Sequence, residues 1–166
     1  MNKKVLYYIW LAEAFPYGSV KYGQILAKEP DAAVFYEKIN KTPEEFSFLT
    51  SSDITALKKH SPNDYRQLAL ESKKKNIYVM CYEDETYPVR LKHIESPPPV
   101  LYYCGDPTIL SGRCVGMVGT RYPSEYGKKM TFKIASELSA YGIVVLSGCA
   151  GGIDAEAHKG ALEEGK

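Results

Sequence analysis

Residues 1–75 carry apolar positions at helical spacing, with almost no strand-like alternation. The run Val5 to Leu11 predicts a core helix, and three further helix starts are marked by polar residues. Thr42-Pro43-Glu44-Glu45 reads as a capping box, with Thr42 as N-cap and Pro43 in the first helical position. Ser52 precedes a short helix through Asp53-Ile54-Thr55-Ala56-Leu57, and Ser61-Pro62-Asn63-Asp64 opens another with Tyr65, Leu68 and Ala69 on one face. Closely spaced short helices predict a compact helical bundle.

The pattern changes after Lys73-Lys74-Lys75, where Asn76 breaks into the strand-forming run Ile77 to Tyr82. Three lysines at a helix C-terminus complement its dipole, and the acidic Glu83-Asp84-Glu85 beyond them weakens a basic-patch reading. Pro97 to Pro99 impose an extended connector packed against a sheet. From Cys114 the chain alternates: strand to Gly119, helix over 124–141, strand over 143–147, helix over 153–164. That order predicts a parallel sheet with right-handed crossovers. In the first crossover helix Met130, Ile134, Leu138 and Tyr141 form the face expected to pack on the sheet. The domains expected are therefore 1–75, helical, and 76–166, α/β.

Composition narrows the chemistry. A formal net charge of +1 across 166 residues requires any attraction to nucleic acid to come from local clustering. Four cysteines without a C-x-x-C pair, and no signal peptide, fit a reducing cytoplasm, and they offer neither a disulfide framework nor a zinc site. No segment is apolar over the length a membrane span needs.

Two glycine turns carry the candidate site. In the first, Gly119 bends the backbone at the carboxyl end of a strand, Thr120 adds a hydroxyl, and Arg121 adds a planar fork matched to phosphate oxygens. Ser124 reads as N-cap or anion contact. A competing reading pairs Arg121 with Glu125 or Asp154, and Lys128 and Lys129 read equally as a solvated face or as an approach to phosphate. The second turn, Ser147-Gly148-Cys149-Ala150-Gly151-Gly152, exposes amide N–H groups ahead of a helix and allows a ligand close to bare backbone. The phosphate-binding set is thus Gly119, Thr120, Arg121, Ser124, Lys128, Ser147, Gly148, Gly151 and Gly152. Asp154 is assigned a structural role, capping the helix or orienting Arg121, and His158, with no nucleophile or metal partner near it in sequence, is also read as structural. No catalytic or metal-binding residue is assigned. Neither turn matches the Walker loop or the dinucleotide fingerprint, so no ATP, NAD or other cofactor is expected.

Val118-Gly119-Thr120-Arg121 with Ser124 and Tyr126-Gly127, followed by Ser147-Gly148-x-Ala150-x-Gly152-Ile153-Asp154 with Ala157-His158 and Gly160-Ala161-Leu162, resembles the DNA-processing protein A family (DprA, also called Smf). Tyr87-Pro88-x-x-Leu91 and Pro98-Pro99-x-Leu101-Tyr102 before Gly105-Asp106 extend the resemblance over residues 76 to 165. It implies a partial Rossmann-like α/β domain behind a small SAM-like or helix-hairpin-helix domain, with Phe15-Pro16-Tyr17-Gly18 and Tyr22-Gly23 as the hairpin-like segment. The function it implies is binding, not catalysis: protection of single-stranded DNA and loading of the RecA recombinase during natural transformation. The family's phosphate pocket transfers to Arg121, with Gly119, Thr120 and Ser124 around it. By the same resemblance the domain is expected to be truncated at Gly165-Lys166, with the homodimer and RecA surfaces largely beyond it.

Two other classes compete. Gly151-Gly152-Ile153-Asp154-Ala155-Glu156 superficially echoes the P-G-G-x-G-T-x-x-E of nucleoside-monophosphate phosphoribohydrolases, but lacks the proline, third glycine and threonine. The other is an inactive truncated fragment with a structural or protein-interaction role.

Overall fold

The computed structural model describes residues 3–163, and the chain divides into two compact units, 1–107 and 108–166. In the first, α1 (Lys4–Ala14), α2 (Val20–Lys28), α3 (Ala32–Lys41), α4 (Ser51–Lys58) and α5 (Arg66–Lys74) precede a hairpin of β1 (Tyr78–Cys81) and β2 (Val100–Tyr103), with the short α6 (Val89–Lys92) between the strands. Helix α1 buries Leu6, Tyr8, Ile9, Trp10 and Leu11, which span its circumference, and so it runs through the middle of the core. The Trp10 indole N–H donates to the carbonyls of Leu57 and His60, both at 3.0 Å, and fastens the end of α4 to α1. Tyr22 donates its hydroxyl to the carbonyls of Ala12 and Phe15, and burial pushes that phenol up to about 12.

The local devices only partly match the sequence reading. Thr42 begins a 3-10 turn, Pro43–Phe46, and not a helix, and its hydroxyl donates to the Glu45 carboxylate at 2.6 Å. The helix expected after Ser52 starts at Ser51, because Thr50 and Asp53 form the capping box. Ser61 and Asp64 do form one, ahead of a 3-10 turn that leads into α5, whose face buries Ala69 but leaves Leu68 exposed. Asn76, at φ 57°, ends the helical path after the lysine run.

The division at 107/108 differs from the boundary expected at 75/76. Cys81 and Val100 of the hairpin sit in the same buried cluster as the helices, and Tyr82 N–H donates to the Pro99 carbonyl at 3.0 Å. The proline connector also packs on α2: a Cβ on Gly23 would collide with the Glu95 carbonyl oxygen, and the Ser96 hydroxyl donates to the Ser19 carbonyl at 2.6 Å.

The second unit contains β3 (Cys114–Gly116), α7 (Glu125–Ala140), β4 (Val144–Leu146) and α8 (Ile153–Glu163). Strands β3 and β4 are parallel, with Cys114 beside Val144 and Gly116 beside Leu146. The α/β fold is therefore as expected, but the buried face of α7 is not. Thr131, Ala135 and Ser139 are buried at spacing i, i+4, i+8, whereas Ile134 and Tyr141 are exposed. The reason is the closeness of α8. A Cβ on Gly160 would collide with the Phe132 carbonyl oxygen and come within 3.0 Å of Ala135 Cβ, and Ser139 donates its hydroxyl to the Ala161 carbonyl at 2.9 Å. Only small side chains fit between helices at that separation. Gly160→Ala is accordingly expected to destabilise this unit by about 1–3 kcal/mol, overpacking outweighing the gain in helix propensity. Faster amide hydrogen exchange across α7 and α8 would register the loss; unchanged protection would show that the crossing relaxes freely.

Candidate nucleic-acid interface

Both glycine turns leave the carboxyl ends of the parallel strands, and the structure locks them into each other. A Cβ on Gly119 would lie 2.8–2.9 Å from the side chain of Ile153, the first residue of α8. In return Gly152, at φ 83°, presses against the first turn: a Cβ there would collide with the Thr120 carbonyl oxygen and lie 2.7 Å from Arg121 Cα. The Ile153 N–H donates to the Thr120 carbonyl at 3.1 Å, and the Ser147 hydroxyl donates to the Met117 carbonyl at 2.7 Å. The close approach expected for a ligand is thus made at Gly119 and Gly152 by the opposite turn.

Asp154 completes the lock. Its carboxylate, 5% exposed, accepts from the Gly119 N–H at 3.3 Å and the Gly148 N–H at 3.1 Å. It bonds to neither helix cap nor Arg121, and it engages two amides that the sequence reading assigned to phosphate. A buried carboxylate is stable here because amide donors replace its lost water.

What remains open is the outer side of the joined turns. Thr120, Arg121 and Gly151 are exposed, and a Cβ on Gly151 would meet nothing within 4 Å. Arg121 has no ion-pair partner among the described residues. Its proposed competitors are otherwise engaged: Glu125 holds Lys128 at 2.7 Å, and Asp154 holds the amides. The pairing with Glu125 raises the Lys128 ammonium above its usual range, so Lys128 carries its own counter-charge. Ser124 caps α7 by accepting from Gly127 N–H at 3.1 Å, and the Thr120 hydroxyl accepts from Tyr122 N–H at 3.1 Å. Two tyrosines beside this surface lie outside the phosphate-binding set. Tyr122 is 92% exposed and Tyr126 is 74% exposed, the signal for them being two tyrosines within five positions of Arg121.

The sequence profile of the family described as DNA recombination-mediator protein A matches residues 78–166. The chain belongs to that family. It is 44% identical over 100 residues to Protein Smf of Synechocystis sp., an alignment covering 58% of this chain and 25% of that protein. With DNA processing protein DprA of Bacillus subtilis it shares 39% identity over 92 residues, 55% of this chain and 31% of that one. The X-ray structure of DNA processing protein A (DprA) from Streptococcus pneumoniae matches with a TM-score of 0.51 and 29% identity, over 77% of this chain and 48% of that chain. The chain spans about a quarter to a third of the length of these curated relatives. Both interlocked turns fall inside the segment that the recombination-mediator profile matches, while α1 to α5 lie outside it. Among the described residues no helix is long and apolar enough to cross a membrane, and no cluster of three or more His, Cys, Asp or Glu side chains could hold a metal.

Proposed function

We propose that the chain binds single-stranded DNA through its phosphate backbone, as the phosphate-holding part of a recombination mediator that protects incoming strands and passes them to the RecA recombinase. The observation that carries this reading is Arg121: exposed, without an ion-pair partner among the described residues, and mounted on a turn held rigid by Gly152 and Asp154. A guanidinium in that setting meets a phosphate without first breaking an internal pair. Thr120, Ser124, Lys128 and the Gly151 and Gly152 amides complete the contact set we assign to phosphate, while Gly119, Ser147 and Gly148 hold the turns in register. Tyr122 and Tyr126 offer ring faces on which bases stack regardless of sequence. The reading is one of binding without catalysis, in a cytoplasmic protein that acts as a homodimer.

Fluorescence anisotropy with a labelled oligothymidine at rising salt tests it. Arg121→Ala is expected to weaken binding about tenfold, the worth of about 1.4 kcal/mol for one charge-assisted phosphate contact. The slope of log affinity against log salt should also flatten by about 0.7. Equal affinity in the two proteins would remove Arg121 from the interface. Release of free base from AMP would replace the binding reading with a hydrolase.

A further inference from the structure

The second turn carries a pair of side chains that phosphate binding leaves unused. Cys149 is exposed and sits in the left-handed backbone region, at φ 56°, four residues before α8 begins. Its Sγ lies 3.5 Å from Nε2 of His158, nine residues later on the helix. Both residues border an apolar cavity of about 650 Å³ whose lining includes Ile109, Ile143, Val145 and Leu162. The four cysteines therefore occupy four different environments. Cys81 is buried in the helical unit, and burial pushes its thiol up to about 12. Cys114 is half-buried, with its Sγ 3.5 Å from the Gly112 carbonyl. Cys104 is exposed, and Cys149 alone has an imidazole within reach among the described residues.

We propose that Cys149 is a reactive thiol, activated by His158 and open to reversible oxidation by hydroperoxides. With the imidazole proton on Nδ1, Nε2 accepts the thiol proton and leaves a thiolate beside the imidazolium. The thiolate sulfur attacks one peroxide oxygen, so an S–O bond forms as the O–O bond breaks. The departing oxygen takes the proton back from the imidazolium. The products are the Cys149 sulfenic acid and water, or an alcohol when the oxidant is an organic hydroperoxide, and a thiol reductant restores the cysteine. The apolar cavity beside the pair gives an organic hydroperoxide a place to seat its hydrocarbon part.

The test uses the whole chain at pH 7 without DNA, so it stands apart from the DNA-binding reading. Hydrogen peroxide is added with a sulfenic-acid trap, and each cysteine peptide is followed by mass spectrometry. Cys149 is expected to be trapped at least tenfold faster than Cys104, the exposed thiol without an imidazole. His158→Gln should bring the Cys149 rate down to that of Cys104 and leave Cys104 unaltered. Equal rates at the two cysteines in the native sequence would overturn the proposal, as would an undiminished Cys149 rate in His158→Gln. Labelling of Cys114 reports whether the variant has loosened its unit; where it has, the native ratio of Cys149 to Cys104 decides by itself.

Discussion

Asp154→Ala is expected to destabilise the second unit by about 1–3 kcal/mol, since it removes two half-buried hydrogen bonds from the amides of the two turns, each worth about 0.5–1.5 kcal/mol. The Gly119 and Gly148 N–H groups both converge on this one buried carboxylate, which joins the two turns. Asp154→Asn provides the graded comparison. Its single carbonyl oxygen keeps one acceptor, but its amide nitrogen then faces the other backbone N–H, so the loss should be intermediate. Hydrogen exchange resolved at Gly119 and Gly148 is the measurement, with both amides expected to lose protection in the alanine variant. Full protection at both would mean that a neighbouring carbonyl replaces the carboxylate. Arg121 should lose affinity for oligothymidine together with that protection, because its backbone is positioned by the same lock.

In the first unit the largest effect is expected from Trp10→Ala, about 3–5 kcal/mol. The indole is 2% exposed, its ring stands edge-on to Tyr36 at 4.9 Å, and its N–H serves two carbonyls at the end of α4. Removal leaves a cavity at the middle of the aromatic cluster and frees α4 from α1. Trp10→Phe keeps most of the packing and loses the two hydrogen bonds, so it should cost less than the alanine change. Urea unfolding followed by far-ultraviolet circular dichroism separates the two, and equal midpoints for Trp10→Phe and Trp10→Ala would show that the hydrogen bonds, not the ring, hold α4. Domains are stable by only about 5–15 kcal/mol, so the alanine variant should sit near its unfolding threshold.

Much of the architecture was legible because it depends on neighbours in sequence. The core helix over Val5 to Leu11, the helical opening at Ser61-Pro62-Asn63-Asp64, and the alternation of strand and helix from Cys114 all follow from local spacing. The missed box of Thr50 and Asp53 was legible too, since Thr-x-x-Asp is written in the chain and Ser52 merely stood closer to the apolar run. Other features were not. Met130, Ile134, Leu138 and Tyr141 are the obvious apolar face of α7, yet Thr131, Ala135 and Ser139 are buried, because the spacing to α8 rewards small side chains over large ones. The unit boundary depends on where Cys81 and Val100 find apolar partners, which is a long-range matter.

By itself, the sequence determined that two glycine turns end parallel strands and that an arginine follows the first, for these are properties of adjacent residues and their allowed backbone angles. Only the tertiary structure decided what each glycine faces and what each charge meets. Gly119 and Gly152 are small because each turn needs the other's space, Asp154 is occupied by amides from two separate turns, and Cys149 reaches His158 across the bend into α8. The contacts that lock the two turns together join backbone segments about thirty residues apart, set by the crossover through α7, and no local spacing encodes them.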